Sequence, residues 1–83
     1  MQPFVTAVTA PQADGSYAVR LVMHDHVLGT RTRVIGRYPD AERARHMGHV
    51  MVNDLREVLA REPLIDERHI EDARRHAESH RTA

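Results

Sequence analysis

Residues 40–62, DAERARHMGHVMVNDLREVLARE, limit the folds open to this chain more than any other stretch. At about 100° per residue, Ala41, Ala44, Met47, Gly48, Met51, Val52, Leu55, Val58 and Leu59 fall in one arc of about 140°. Glu42, Arg43, His46, His49, Asn53, Asp54, Arg56, Glu57 and Arg61 fill the other side, with Val50 the one apolar residue among them. The pattern predicts a long amphipathic helix with a single buried face, so the rest of the chain must supply what that face covers. Asp40 suits the N-cap and Glu62-Pro63 ends the helix, because a residue before proline avoids helical geometry.

The stretch before it reads as three strands. FVTAVT, residues 4–9, is β-prone and stops near Ala10-Pro11. Asp14-Gly15 then signals a hairpin. In SYAVRLVMHD, Tyr17, Val19, Leu21 and Met23 alternate with Ala18, Arg20, Val22 and His24, a period of two over residues 16–25. HDHVLGT closes a second hairpin at Gly29. In TRTRVIGRY, a strand over residues 30–38, Thr32, Val34, Gly36 and Tyr38 share one face, and Arg31, Arg33, Ile35 and Arg37 share the other.

A register that matches the apolar faces sets His24 near Arg31 and Val19 near Gly36. Gly36 and Gly48 would both permit close backbone approach. The expected core is Tyr17, Val19, Leu21, Met23, Val34, Tyr38, Ala44, Met51, Leu55 and Leu59. After Pro63, a second helix over residues 66–80 carries a narrow stripe of Ile70, Ala73 and Ala77, with Glu71–Arg75 and Arg74–Glu78 spaced for ion pairs. It is expected to dock through Leu64, Ile65 and Ile70 or to order against a partner. The predicted fold is therefore a single α+β domain: a three-stranded antiparallel sheet, a long helix on one face and a C-terminal helix.

Charge narrows the function classes. Twelve basic and twelve acidic residues cancel, and every basic residue is arginine. Overall neutrality argues against a generic nucleic-acid binder, which carries a basic excess. The charge is uneven: residues 1–45 hold six arginines against four acids, and residues 46–83 hold six against eight. Cysteine is absent, which excludes disulfides and thiolate metal sites and suits the cytosol. The N-terminus lacks the pattern of a signal peptide, and no apolar run reaches the ~18 residues of a membrane span, so a cytoplasmic, non-membrane protein is expected.

Catalytic chemistry finds no footing. Ser16 lies in a turn and Ser79 near a helix end, neither in a nucleophile elbow, and no glycine-rich phosphate loop exists. Neither an enzyme nor a cofactor is expected. Seven histidines raise a metal hypothesis. His76 and His80 sit at i,i+4, a chelating spacing, but no third ligand is placed to complete a site.

The best functional clue is an arginine face. Arg20, His24, Arg31, Arg33 and Arg37 would project from the side of the sheet away from the helix, with Val22 and Ile35 among them and Val27 and Leu28 exposed at the hairpin tip. Arginine mixed with aliphatic side chains suits a protein interface. A two-stranded ribbon so armed could also enter a DNA major groove.

Two resemblances bear on this choice. Three strands followed by one helix, with GSYAVRL opening the second strand and DAERARHM opening the helix, look like the arm-binding domain of tyrosine integrases. That resemblance implies Arg20, Arg31, Arg33 and Arg37 as DNA contacts. AVTAPQADGSYAVRL, then a strand, then an Ala- and Met-containing helix, is similar to the layout of small bacteriophage anti-CRISPR proteins that inhibit type I surveillance complexes, over roughly residues 5–55. It implies a stoichiometric, non-enzymatic binder that docks on a nucleoprotein effector complex. The leading expectation is thus a protein-binding inhibitor, with a DNA-binding module and a histidine-based metal-binding accessory protein as alternatives. Self-association through the open sheet face is a further possibility for the partner.

Overall fold

A computed structural model of the protein describes residues 2–79. Strands β1 (Phe4–Pro11), β2 (Tyr17–Asp25) and β3 (Gly29–Tyr38) form an antiparallel meander in the order β1-β2-β3. Helix α1 (Ala41–Arg61) packs on one face of the sheet, and α2 (Glu67–Ser79) packs against α1. The α+β architecture is as the sequence predicts.

Local chemistry accounts for each junction. Gly15, at φ +87°, makes the first turn, and the Asp14 carboxylate accepts the Ser16 N–H at 3.0 Å and its hydroxyl at 2.6 Å. The second turn spans three residues and closes on Gly29 at φ +75°, left-handed geometry that suits glycine. Asp40 caps α1 by accepting the Arg43 N–H at 2.7 Å. Asp66 caps α2 reciprocally: its carboxylate accepts the His69 N–H at 3.1 Å, while the His69 ring accepts the Asp66 N–H, also at 3.1 Å.

The core lies between the sheet and α1. Val5, Val19, Leu21 and Met23 meet Ala44, Met47, Met51 and Leu55, all buried. Tyr17, Tyr38 and Leu59 pack at its margin, half-buried. Gly48 is needed where α1 crosses β1: a Cβ there would lie 2.9 Å from the Ala7 Cβ. At Gly36, by contrast, an added Cβ would first meet the Tyr38 side chain of its own strand, with the hydroxyl at 3.3 Å.

The second helix is docked. Ile65, Ile70, Ala73 and Ala77 are buried, and so is Val50, which the helical period alone had placed on the polar side of α1. Asp54, one turn beyond Val50, meets His76 of α2 at 2.6 Å, which fixes the flank on which α2 lies. Of the expected ion pairs, Arg74–Glu78 forms at 3.7 Å, whereas Arg75 lies 3.9 Å from Asp72 and not against Glu71.

The failure that matters for function is in the register of β2 and β3. Val19 does oppose Gly36, but the register shifts immediately beyond it, so that Arg20 opposes Val34 and Ile35 is left over on β3. This is a β-bulge, and one extra residue exchanges the two faces of everything past it. Met23, not His24, is opposite Arg31, and Leu21 is opposite Arg33. Arg31 and Arg33 therefore stand on the helix side of the sheet. Val34, expected in the core, is 53% exposed on the opposite side.

Candidate protein-docking face

The uncovered face of the sheet is built from the alternate residues of the three strands. Side by side across it lie Phe4–His24–Thr30, Thr6–Val22–Thr32, Val8–Arg20–Val34 and Ala10–Ala18–Arg37. The face follows from alternation: Val5, Leu21 and Met23 point into the core, so their neighbours along each strand point away from it. Phe4, Val8 and Val34 are exposed on this surface, and Val27 and Leu28 are exposed at the adjoining hairpin tip. They account for all the large hydrophobics exposed among the described residues. Phe4 stacks on the His24 ring with centroids 6.0 Å apart, and His24 Nδ1 lies 2.8 Å from the Thr30 hydroxyl. His26 meets His24 edge-on at 6.4 Å.

The five polar residues expected on this face are divided. Arg20 and His24 are there, Arg20 at its centre with aliphatic neighbours on both sides. Arg37 stands at the far end, 3.8 Å from Asp14, with both side chains largely exposed. Arg31 and Arg33 are committed within the fold instead. Arg31 Nη2 donates to the Asp25 carboxylate and to the Ile65 carbonyl, each at 2.8 Å. Arg33 pairs with Glu67 in the first turn of α2.

Asp25 anchors this arrangement. Its side chain is 1% exposed and accepts the Val27 N–H at 2.9 Å and the Leu28 N–H at 2.6 Å besides the Arg31 contact. The Leu28 N–H, with the Val27 and Ile65 N–H groups and the Arg31 guanidinium, holds its pKa below the ordinary value of 3.8 despite the opposing cost of burial. One carboxylate thus closes the β2–β3 turn and, through Arg31, holds the segment that leads into α2.

Among the described residues the histidines fall in separate places, His24 and His26 by the sheet and His46 and His49 on α1 among them. His24 is on the sheet, His69 caps α2, and His76 meets Asp54. Among the described residues, no group of three or more His, Asp or Glu side chains could hold a metal ion. His80 lies outside the described residues, so the His76/His80 pair cannot be placed as a chelate.

Phe4, Val8 and Val34 are the surface residues that reading the sequence missed. The signals were present: β1 alternates Phe4, Thr6, Val8 against Val5, Ala7, Thr9, and a glycine inside a strand, here Gly36, often marks a bulge. No helix among the described residues is long and apolar enough to cross a membrane. Comparison with protein-family models, with curated proteins and with solved structures finds no match to this chain.

Proposed function

We propose that the chain is a non-enzymatic binding protein whose protein partner docks on the open face of the sheet. One observation carries this reading: the exposed large hydrophobics gather on that face and its hairpin tip, around a single central guanidinium, Arg20. Exposed apolar side chains grouped around an arginine have the composition of an interface core. The DNA-reading alternative is disfavoured by the same geometry. Arg31 and Arg33 are occupied by Asp25, Ile65 and Glu67, and Arg37 stands at the far end beside Asp14, which leaves Arg20 as the one arginine at the centre of the face to meet phosphate.

The inhibitor class implied by the anti-CRISPR resemblance is the form of this reading with a direct assay. Purified protein should block target-DNA binding by a type I surveillance complex at a one-to-one ratio. Val8→Asp and Val34→Asp alter exposed side chains, so each should shift Tm by less than about 4 °C. Each should weaken inhibition at least about tenfold if the face is the contact. Full inhibition by both variants would overturn the docking surface, and absence of inhibition would overturn this partner class. Salt-sensitive binding to free duplex DNA, lost in Arg20→Ala, would restore the DNA-binding reading.

A further inference from the structure

A second surface lies on the other side of the molecule, where α1 passes beside the outer strand. A groove of about 540 Å³ runs between β1 and α1. Its strand wall is Thr6, Ala7 and Thr9. Thr6 belongs to the open face while Ala7 and Thr9 belong to the helix face, so the groove reaches round the free edge of β1. Gly48 permits the close approach of α1 to Ala7 at this groove.

The edge of β1 is unguarded. Exposed edge strands are ordinarily blunted by charge, by an internal proline or by a bulge. β1 carries no charged residue, its only proline is the last residue, and it pairs with β2 in continuous register. The other edge, β3, has Arg31, Arg33 and Arg37 and the bulge. Every second residue of β1 thus offers an N–H and a C=O with no strand beside them.

The helix wall supplies a charge. Arg45, His46, His49 and Arg56 line the groove, and no carboxylate does. Arg45 and Arg56 enter no ion pair among the described residues. Arg56 has Val52, Asn53, Leu59 and Ala60 at the positions where a helical ion pair would form. The two guanidiniums are eleven residues apart, about 16 Å along the helix. The first and last side chains of a five-residue strand share one face about 13 Å apart, a shortfall that two long arginine side chains can close.

From this juxtaposition we propose that the groove binds an extended acidic peptide, which adds to β1 as a fourth strand and sets acidic side chains at i and i+4 against Arg45 and Arg56. Backbone pairing would supply affinity and the arginines would supply selection. No Phe, Tyr or Trp lines the groove, so the large stacking platforms that hold single-stranded nucleic acid are absent from it. A second copy of the chain pairing edge to edge would bring Arg45 and Arg56 of both molecules together, an arrangement that like-charge repulsion opposes.

The test is an amide chemical-shift titration of the full chain with the blocked peptide Ac-TEVTVET-NH2. Shifts should map to residues 6–9 and 45–56, and binding should weaken at least about tenfold in the double variant Arg45→Glu/Arg56→Glu. Val34→Asp should leave binding unchanged, which separates this site from the open face. The proposal is overturned by equal binding of Ac-TKVTVKT-NH2 or of the Pro-interrupted Ac-TEVPVET-NH2. Equal or tighter binding of a twelve-nucleotide oligo-dT, shifts confined to the open face, or an edge-to-edge dimer that Arg45→Glu leaves intact would overturn it equally.

Discussion

Asp25 shows how much one side chain can determine. Asp25→Asn would weaken the acceptor for two backbone N–H groups and leave Arg31 without its charge partner. A destabilisation of about 2–4 kcal/mol is expected, read from denaturant midpoints. The pH dependence has a definite sign. Because the folded-state pKa is depressed, the stabilisation is fully present above the unfolded value near 4 and is lost as pH falls through the lower folded value. The gap between native and Asp25→Asn stabilities should therefore narrow below about pH 4. Gly48 offers a second test at this scale. Alanine has the higher helix propensity by about 1 kcal/mol, yet its Cβ would stand 2.9 Å from that of Ala7, where no flexible side chain can yield. Gly48→Ala should accordingly destabilise, by about 1–2 kcal/mol net. Adding Ala7→Gly should recover part of that loss, a coupling that thermal melts of the four proteins would measure.

At the scale of elements, α1 is the scaffold and α2 is a brace. Leu55 is fully buried at the centre of α1, and Leu55→Ala should cost about 2–5 kcal/mol, with Tm falling by at least about 8 °C. The second helix has a thinner stripe, Ile70, Ala73 and Ala77, and owes its position to Arg31, Arg33 and the Asp54–His76 contact as well. Ala77→Glu would bury a carboxylate on that stripe. Amides of α2 should then exchange with solvent faster, while those of β2 stay protected if the sheet and α1 hold together.

For the whole molecule, separation of surfaces is the main consequence of the fold. The open sheet face presents Phe4, Val8 and Val34 around Arg20, and the β1–α1 groove presents Arg45 and Arg56, so substitutions at Val34 and at Arg45 should act on separate occupants. Zinc binding by a preformed site would raise Tm; among the described residues no group of three or more His, Asp or Glu side chains could hold the ion, which predicts a shift below about 1 °C at micromolar zinc. Much of this architecture was legible in the chain itself. The strands, both helices, the cap at Asp40 and most of the core follow from periods of 2.0 and 3.6 and from turn chemistry, which are local properties. The arrangement of the arginines was not. Which face Arg31 and Arg33 occupy depends on one extra residue at Ile35, and alternation along a single strand cannot count residues on its neighbour. The bond from Arg31 to the Ile65 carbonyl, which joins residues 34 apart in the chain, and the burial of Val50 on the side of α1 that the helical period makes polar were likewise decided by the tertiary structure.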